Sequence, residues 1–142
     1  MALGRYQMTD SALKDAGMKD TNGNWTGKYG VTGDADFLNN PKAQEQAAAE
    51  YHRSNYRHLQ SNGDLAKKGH TIKGINGQIT ITEAGLLAAA HRQGAFAVHK
   101  YLNNVFANGG RSNPNTFPPK LKDAFLSIET RLREFQNIPL RP

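Results

Sequence analysis

Polar and apolar positions change period along the chain, and the changes mark its elements. Asn40-Pro41 pairs a capping amide with a proline at the first helical position, and Asn62-Gly63 is a turn dipeptide. Between them the spacing predicts a helix from about Pro41 to Ser61. Ala43, Ala47, Tyr51 and Ser54 or Asn55 share a small-residue face that permits close packing. Glu50 and Arg53, three apart, are expected to form a solvated pair of little energetic weight. Thr71 to Thr82 then alternates polar and β-branched residues about Asn76-Gly77, the strongest short hairpin signal. A hairpin at about residues 71–81 is marginal alone, so it must lie against helices. Thr82 caps a helix from Glu83 to about Gln93, apolar nearly all round and therefore expected to be buried and central, and Gly94 breaks it. Val98, Leu102, Val105 and Phe106 mark the inner side of a helix from about Phe96 to Phe106. Leu121, Phe125, Ile128, Leu132 and Phe135 stripe a last helix opened by Pro118-Pro119. A short helix, Asp10 to Ala16, capped by Thr9 and closed by Gly17, completes the set. Residues 64–70, with Lys67-Lys68 exposed, and 108–115 read as loops. The fold class is mainly α, with about five helices and one small β-hairpin.

At 142 residues the chain is expected to be one domain, without internal repeat or coiled coil. No apolar run approaches the ~20 residues needed to span a bilayer, so no membrane insertion is expected, and no signal peptide is visible. Eighteen basic against twelve acidic residues give a net charge of +6 and a pI near 9.7. That balance favours anionic partners: nucleic acid, acidic lipid or an acidic wall polymer. The basic residues are scattered, without an aromatic-interleaved stripe or a recognition helix, so nucleic acid ranks last and is not expected. The absence of cysteine excludes disulfides, zinc-thiolate sites and thiol nucleophiles. His52, His58, His70, His91 and His99 include no i,i+4 pair around a glutamate, and neither metal nor cofactor is expected. Asp20, Asn22 and Asn24 start like a calcium loop, but Trp25 in sixth place and Val31 in twelfth break the pattern. A polar turn is expected there, with Trp25 and Tyr29 as anchors or sugar-stacking faces, core anchoring being the role favoured for Trp25.

The chemistry-bearing stretch is Ala2-Leu3-Gly4-Arg5-Tyr6-Gln7-Met8-Thr9. Glycine lets the backbone pass close to a ligand, tyrosine offers a flat face with a polar tip, and the Gln7 amide both donates and accepts. Those parts form either the wall of a sugar site or a buried turn whose Tyr and Gln satisfy their own backbone. Far downstream, Ala88-Ala89-Ala90-His91-Arg92-Gln93-Gly94-Ala95-Phe96 joins a buried alanine-rich helix to the next one.

Taken in order, these two stretches resemble the paired boxes of the soluble lytic transglycosylase and goose-type lysozyme superfamily. There a Gly-Leu-Met-Gln box lies upstream of an Ala-Tyr-Asn-Ala-Gly box. More closely, the chain is similar to lysozyme-like domains of bacterial secretion effectors, spike proteins and phage particles. Those carry Gly-Arg-Tyr-Gln-Met, a Trp-Thr-Gly turn, a Phe-Leu-x-x-Pro-x-x-Gln-Glu helix start and an Ala-Ala-His box. The resemblance covers roughly residues 2–105 and implies a lysozyme-like α+β fold and peptidoglycan as the substrate. Cleavage of its glycan strands, as a muramidase or lytic transglycosylase, is the implied activity. It further implies action in the periplasm or cell wall after delivery by a secretion system (type VI among them) or a phage particle, with an immunity protein as a partner.

Carried over by position, the resemblance gives Arg5, Tyr6, Gln7, Met8, His91 and Arg92 as substrate-binding residues, with Gln7 facing the glycan. His91 stands where the family has tyrosine and Arg92 where it has asparagine. His91 either hydrogen-bonds the glycan or the acid, or is a satisfied core histidine at a helix end. The family's general acid is a glutamate shortly before the first box, a position that would precede Met1. The chain is therefore expected to be the C-terminal fragment of a longer polypeptide, with Met1 an added start. A carboxylic acid kept protonated by an apolar setting gives its proton to the glycosidic oxygen, and water or a sugar hydroxyl traps the oxocarbenium-like centre. Glu45 and Glu83, near helix starts, are the internal candidates for such an acid; the alternative is that each is a helix-end acid favoured by the dipole. The patches around Gln7 and His91 are expected to line one trough. The competing class is a non-catalytic peptidoglycan-binding module, or a toxin fragment acting with a partner segment.

Overall fold

Side-chain caps set three of the six α-helix starts in the computed structural model, which describes residues 2–137. Thr9 Oγ1 accepts from the Ala12 amide at 3.1 Å and opens α1, Asp10–Asp15. A second short helix, α2, Asp34–Leu38, has no counterpart in the sequence pattern. It has no side-chain cap bond and buries only Phe37, too little to show a period. Asn40 Oδ1 accepts from Ala43 at 3.0 Å and opens α3, Pro41–Ser61. After the strands β1, Thr71–Gly74, and β2, Gly77–Thr80, Thr82 Oγ1 accepts from Gly85 at 3.0 Å to open α4, Glu83–Gln93. Gly94 (φ 89°, ψ 150°) separates it from α5, Ala95–Ala107. The last helix, α6, Lys122–Glu134, does not start at Pro118-Pro119. A 3-10 turn, Pro119–Leu121, intervenes. Six α-helices and one antiparallel pair make the described chain mainly α with a small hairpin.

The chain divides into two compact units, Met1–Ser54 and Asn55–Pro142. In the first, Leu3, Met8, Leu13, Met18, Val31 and Phe37 form a core with Ala43, Ala47 and Tyr51, the small-residue face of α3. Trp25 is half-buried with its ring 5.4 Å from that of Phe37. Its Nε1–H donates to Asp34 at 2.9 Å and Lys19 Nζ lies 4.8 Å from its centroid, so it is the expected anchor. The polar turn before it closes on Asp20 Oδ1, which accepts from the Asn22 and Asn24 amides.

In the second unit, Ile72, Ile79 and Ile81 from the hairpin and its exit pack with Leu86 and Ala89 of α4. Val98, Tyr101, Leu102 and Val105 of α5 and Phe125, Ile128 and Leu132 of α6 complete this core. No residue of α4 from Glu83 to Ala90 is exposed, as its all-round apolar sequence requires. At Gly85 a Cβ would stand 3.3 Å from Leu132 Cδ2, so the missing side chain makes room for α6.

The hairpin register pairs Ile72 with Ile79 and Gly74 with Gly77, which leaves Ile75 and Asn76 as the loop. The loop is thus one residue earlier than Asn76-Gly77. Neither Ile75 nor Asn76 has a positive φ, whereas Gly77 has φ 118°. The glycine's freedom is used at the first paired position after the loop rather than within it. Lys67 is also not fully exposed: it is half-buried, with Nζ 4.6 Å from the Phe106 ring centroid.

Candidate functional site

The Gly4–Gln7 turn is built by a backbone clasp. Leu3 N–H donates to Met8 at 2.8 Å, Met8 N–H returns to Leu3 at 2.9 Å, and Gln7 N–H closes the loop on Gly4 at 3.1 Å. Two residues inside adopt left-handed backbone, Gly4 (φ 76°) and Gln7 (φ 51°). For a glutamine that conformation costs roughly 1–2 kcal/mol, so the surroundings must enforce it. They do so through Gln44. Only 5% exposed, its Oε1 accepts from the Arg5 amide at 2.7 Å while its Nε2 donates to the Phe37 and Leu38 carbonyls. A helix-start amide thus welds the turn to the end of α2.

The side chains of this turn divide by role. Arg5 and Gln7 are exposed, and Tyr6 is half-buried against the core with the Arg5 guanidinium carbon 5.6 Å from its ring centroid. Gln7 Nε2 donates to the Gly4 carbonyl at 2.9 Å, so the amide is fixed by its own turn and yet faces solvent. Met8 differs from these three: at 2% exposed it is a core residue that anchors the turn.

The second patch lies in the second unit. His91 and Arg92 stand in the last turn of α4 and both are exposed, so His91 is not a core histidine. Positive groups at a helix C-terminus are favoured by the dipole. Gly94 N–H closes the helix on the Ala90 carbonyl at 2.7 Å, behind which Ala89 and Ala90 are buried.

Neither internal acid candidate has an apolar enclosure of its own. Glu45 is exposed on α3, and Glu83 is half-buried in the first turn of α4. The informative carboxylates are others. Glu50, with 27% of its side chain exposed, is more than the partner of a solvated pair. Besides Arg53, its carboxylate accepts from the Tyr29 hydroxyl at 3.5 Å and lies 4.0 Å from Lys28 Nζ. Asp64, 3% exposed, accepts from His99 Nδ1 at 3.0 and 3.1 Å, and the Asn103 amide meets His99 Nε2 at 3.2 Å. Burial pushes the Asp64 carboxyl up, against the pull of His99 and Lys67. Both ring nitrogens of His99 are thus engaged, Nδ1 by Asp64 and Nε2 by the Asn103 amide.

Glu129, also 3% exposed, gathers partners from four segments. It accepts from Tyr101 Oη at 3.0 Å, from Ser112 Oγ at 2.7 Å and from the Ile75 amide, with Arg133 Nη2 at 3.6 Å. It pins the hairpin loop, α5 and the 108–115 loop to α6. The pattern that locates it is spacing: Glu129 is four residues after Phe125 and three before Leu132, on the flank of the buried stripe. At Gly74 a Cβ would collide with Glu129 and stand 2.8 Å from Arg133 Nη2. There the glycine is needed for space.

Burial, then the neighbouring Glu129 charge and hydrogen bond, hold the Tyr101 hydroxyl far above its ordinary value. The unfolded chain therefore loses this proton near pH 10 while the folded chain keeps it. The stability contribution is complete below pH ~10 and falls as pH rises further, by about 1.4 kcal/mol per pH unit. Urea titrations between pH 9 and 11 are expected to show this slope in the wild type, and a slope shallower by one proton in Tyr101→Phe. Equal slopes in the two proteins would contradict it.

Among the described residues no group of three His, Cys, Asp or Glu is placed to hold a metal ion, and no helix is long and apolar enough to cross a membrane. The chain gives no match to known protein families, curated proteins or solved structures. What defines its class is therefore the fold itself, mainly helical with one hairpin, together with two polar, solvent-facing patches held by buried frameworks.

Proposed function

We propose that this chain binds the glycan strands of peptidoglycan and belongs to a domain that cleaves them. Supporting it most is the Gly4–Gln7 turn: a strained, Gln44-clamped loop that presents a guanidinium and a fixed amide to solvent beside a half-buried tyrosine. Backbone strain held by surrounding structure is characteristic of ligand clamps, and an aromatic face beside an amide suits a sugar ring with its hydroxyls. In the same proposal His91 and Arg92, exposed in the last turn of α4, are the substrate-binding residues of the second unit. In this proposal the general acid is a glutamate preceding the first box, as in the lysozyme-like domains that the sequence resembles. That acid protonates the glycosidic oxygen, and the chain's own residues hold the sugars. Delivery to the periplasm and an immunity protein in the producer belong to the same proposal.

Purified sacculi test it. A longer form that includes the preceding residues is expected to release soluble muropeptides, and release should stop when the added glutamate is changed to glutamine. In that form Gln7→Ala and His91→Ala are each expected to lower release about 10- to 100-fold, the worth of one or two substrate hydrogen bonds. Release unaffected by both would sink the assignment of these residues.

A binding-only module is the second reading, favoured by the state of the chain's own acids. Asp64 and Glu129 are engaged in structural bonds, while Glu45 is exposed and Glu83 only half-buried. Sedimentation of the longer form with sacculi, with no muropeptide released, would select it.

A further inference from the structure

The outer edge of the hairpin carries two cations side by side with no acid. Lys73 N–H donates to the Gly110 carbonyl and Ser112 N–H donates to the Lys73 carbonyl, both at 2.8 Å, so Arg111 sits directly beside Lys73 in a parallel bridge. On its other side Lys73 pairs with Gln78. Alternation fixes where these side chains point. Ile72 and Ile79 enter the core and Ser112 turns inward to Glu129, so Lys73, Gln78 and Arg111 project outward as one row. Neighbouring strands stand about 4.8 Å apart. With Thr71, Gly109 and Gly110 this row lines an open groove of about 400 Å³.

No Asp or Glu lines that groove. The ion pairs of Lys19, Lys28, Arg53, His99 and Arg133 leave Lys73 and Arg111 out, and no side-chain hydrogen bond among the described residues engages either. Like charges at facing positions repel and are destabilising. The loop amides offer no substitute ligand site, since the Gly109 and Gly110 N–H groups donate to Phe106 and Val105. Both glycines have left-handed backbone (φ 68° and 80°), and a Cβ on either would meet nothing within 4 Å. The free donors are thus a guanidinium fork, an ammonium and an amide, with an open floor beside them.

We propose that this row is an oxyanion site that binds carboxylates of the acidic peptides carried by the wall polymer, an assignment that rests on the peptidoglycan reading above. The guanidinium takes one carboxylate in bidentate fashion, the ammonium neutralises its remaining charge, and the Gln78 amide and Thr71 hydroxyl meet the adjoining peptide groups. Occupation of the row relieves the repulsion between Lys73 and Arg111.

The test uses the full 142-residue chain and the K73Q/R111Q variant, both of whose substitutions fall at exposed positions. In ¹⁵N NMR titrations, glutarate is expected to move the amides of residues 73, 78 and 110–112, and the variant should lose that response while keeping the rest of its spectrum. Sedimentation with sacculi at low salt is expected to be about tenfold weaker for the variant. Absence of a localised glutarate shift overturns the site. A shift with inorganic phosphate alone overturns the carboxylate assignment. A localised glutarate shift in a chain that does not sediment with sacculi keeps the oxyanion site but removes the wall peptide as its occupant, and the peptidoglycan reading falls with it. Equal sedimentation of variant and wild type removes the wall peptide alone.

Discussion

Glu129→Ala is expected to destabilise the chain by about 3–5 kcal/mol, the cost of removing a buried carboxylate with partners from four segments. It joins the Tyr101 and Ser112 hydroxyls, the Ile75 amide and the Arg133 guanidinium. Truncation leaves three donors without an acceptor and a cation without its counter-charge. Breaking a buried pair in this way costs about 3–5 kcal/mol, because the partners stay desolvated. Glu129→Gln separates charge from hydrogen bonding. Its amide oxygen still serves one or two donors and the hydroxyls can rotate, so a loss of roughly half that size is expected. Ser112→Ala, which removes one donor and orphans nothing else, should cost about 1 kcal/mol. Urea unfolding followed by circular dichroism reads all three. A Glu129→Ala loss no larger than that of Ser112→Ala would show that the four segments hold together without this carboxylate.

Which parts of this molecule can be read from sequence follows from how local their causes are. α3 and α4 span the expected residues because Asn40-Pro41, Thr82 and Gly94 act within one turn of themselves. The hairpin falls where the alternation puts it, but Asn76-Gly77 does not specify which positions form the loop, and the observed register shifts by one. α2 escapes detection because five residues with one buried apolar position carry no period. The buried acids are harder to read for a different reason. Asp64 and Glu129 look like surface residues in any composition scale, and hydrogen-bond partners 17 to 54 residues away in sequence, with Arg133 four away, make their burial tolerable. The candidate site divides in the same way. Arg5, Tyr6 and Gln7 draw attention by their side-by-side chemistry; Arg5 and Gln7 are exposed, while Tyr6 is half-buried against the core. Met8 is not distinguishable from them by sequence, and the strand alternation that turns it inward comes from the Leu3–Met8 bridge. Gln44, which holds the turn in place, sits in the first turns of a helix and reads there as an ordinary polar residue.

That clamp carries the second large expectation. Gly4→Ala should cost roughly 2–4 kcal/mol, from two separable causes. Alanine at φ 76° pays roughly 1–2 kcal/mol for left-handed backbone. Its Cβ would also stand 2.6 Å from Gln44 Oε1 and 2.9 Å from Gln44 Cδ, a buried group that is bonded to the Arg5 amide and to two carbonyls of α2 and its end. To make room Gln44 must shift, at about 1–3 kcal/mol for the polar groups it leaves unpaired. Gln44→Ala removes the obstructing atoms and orphans the same partners, so the two substitutions share a cost. In a double-mutant cycle the combined loss is therefore expected to fall short of the sum by about 1 kcal/mol or more. Strict additivity would mean that Gly4 is required by its backbone conformation alone, and that it shares no packing cost with Gln44.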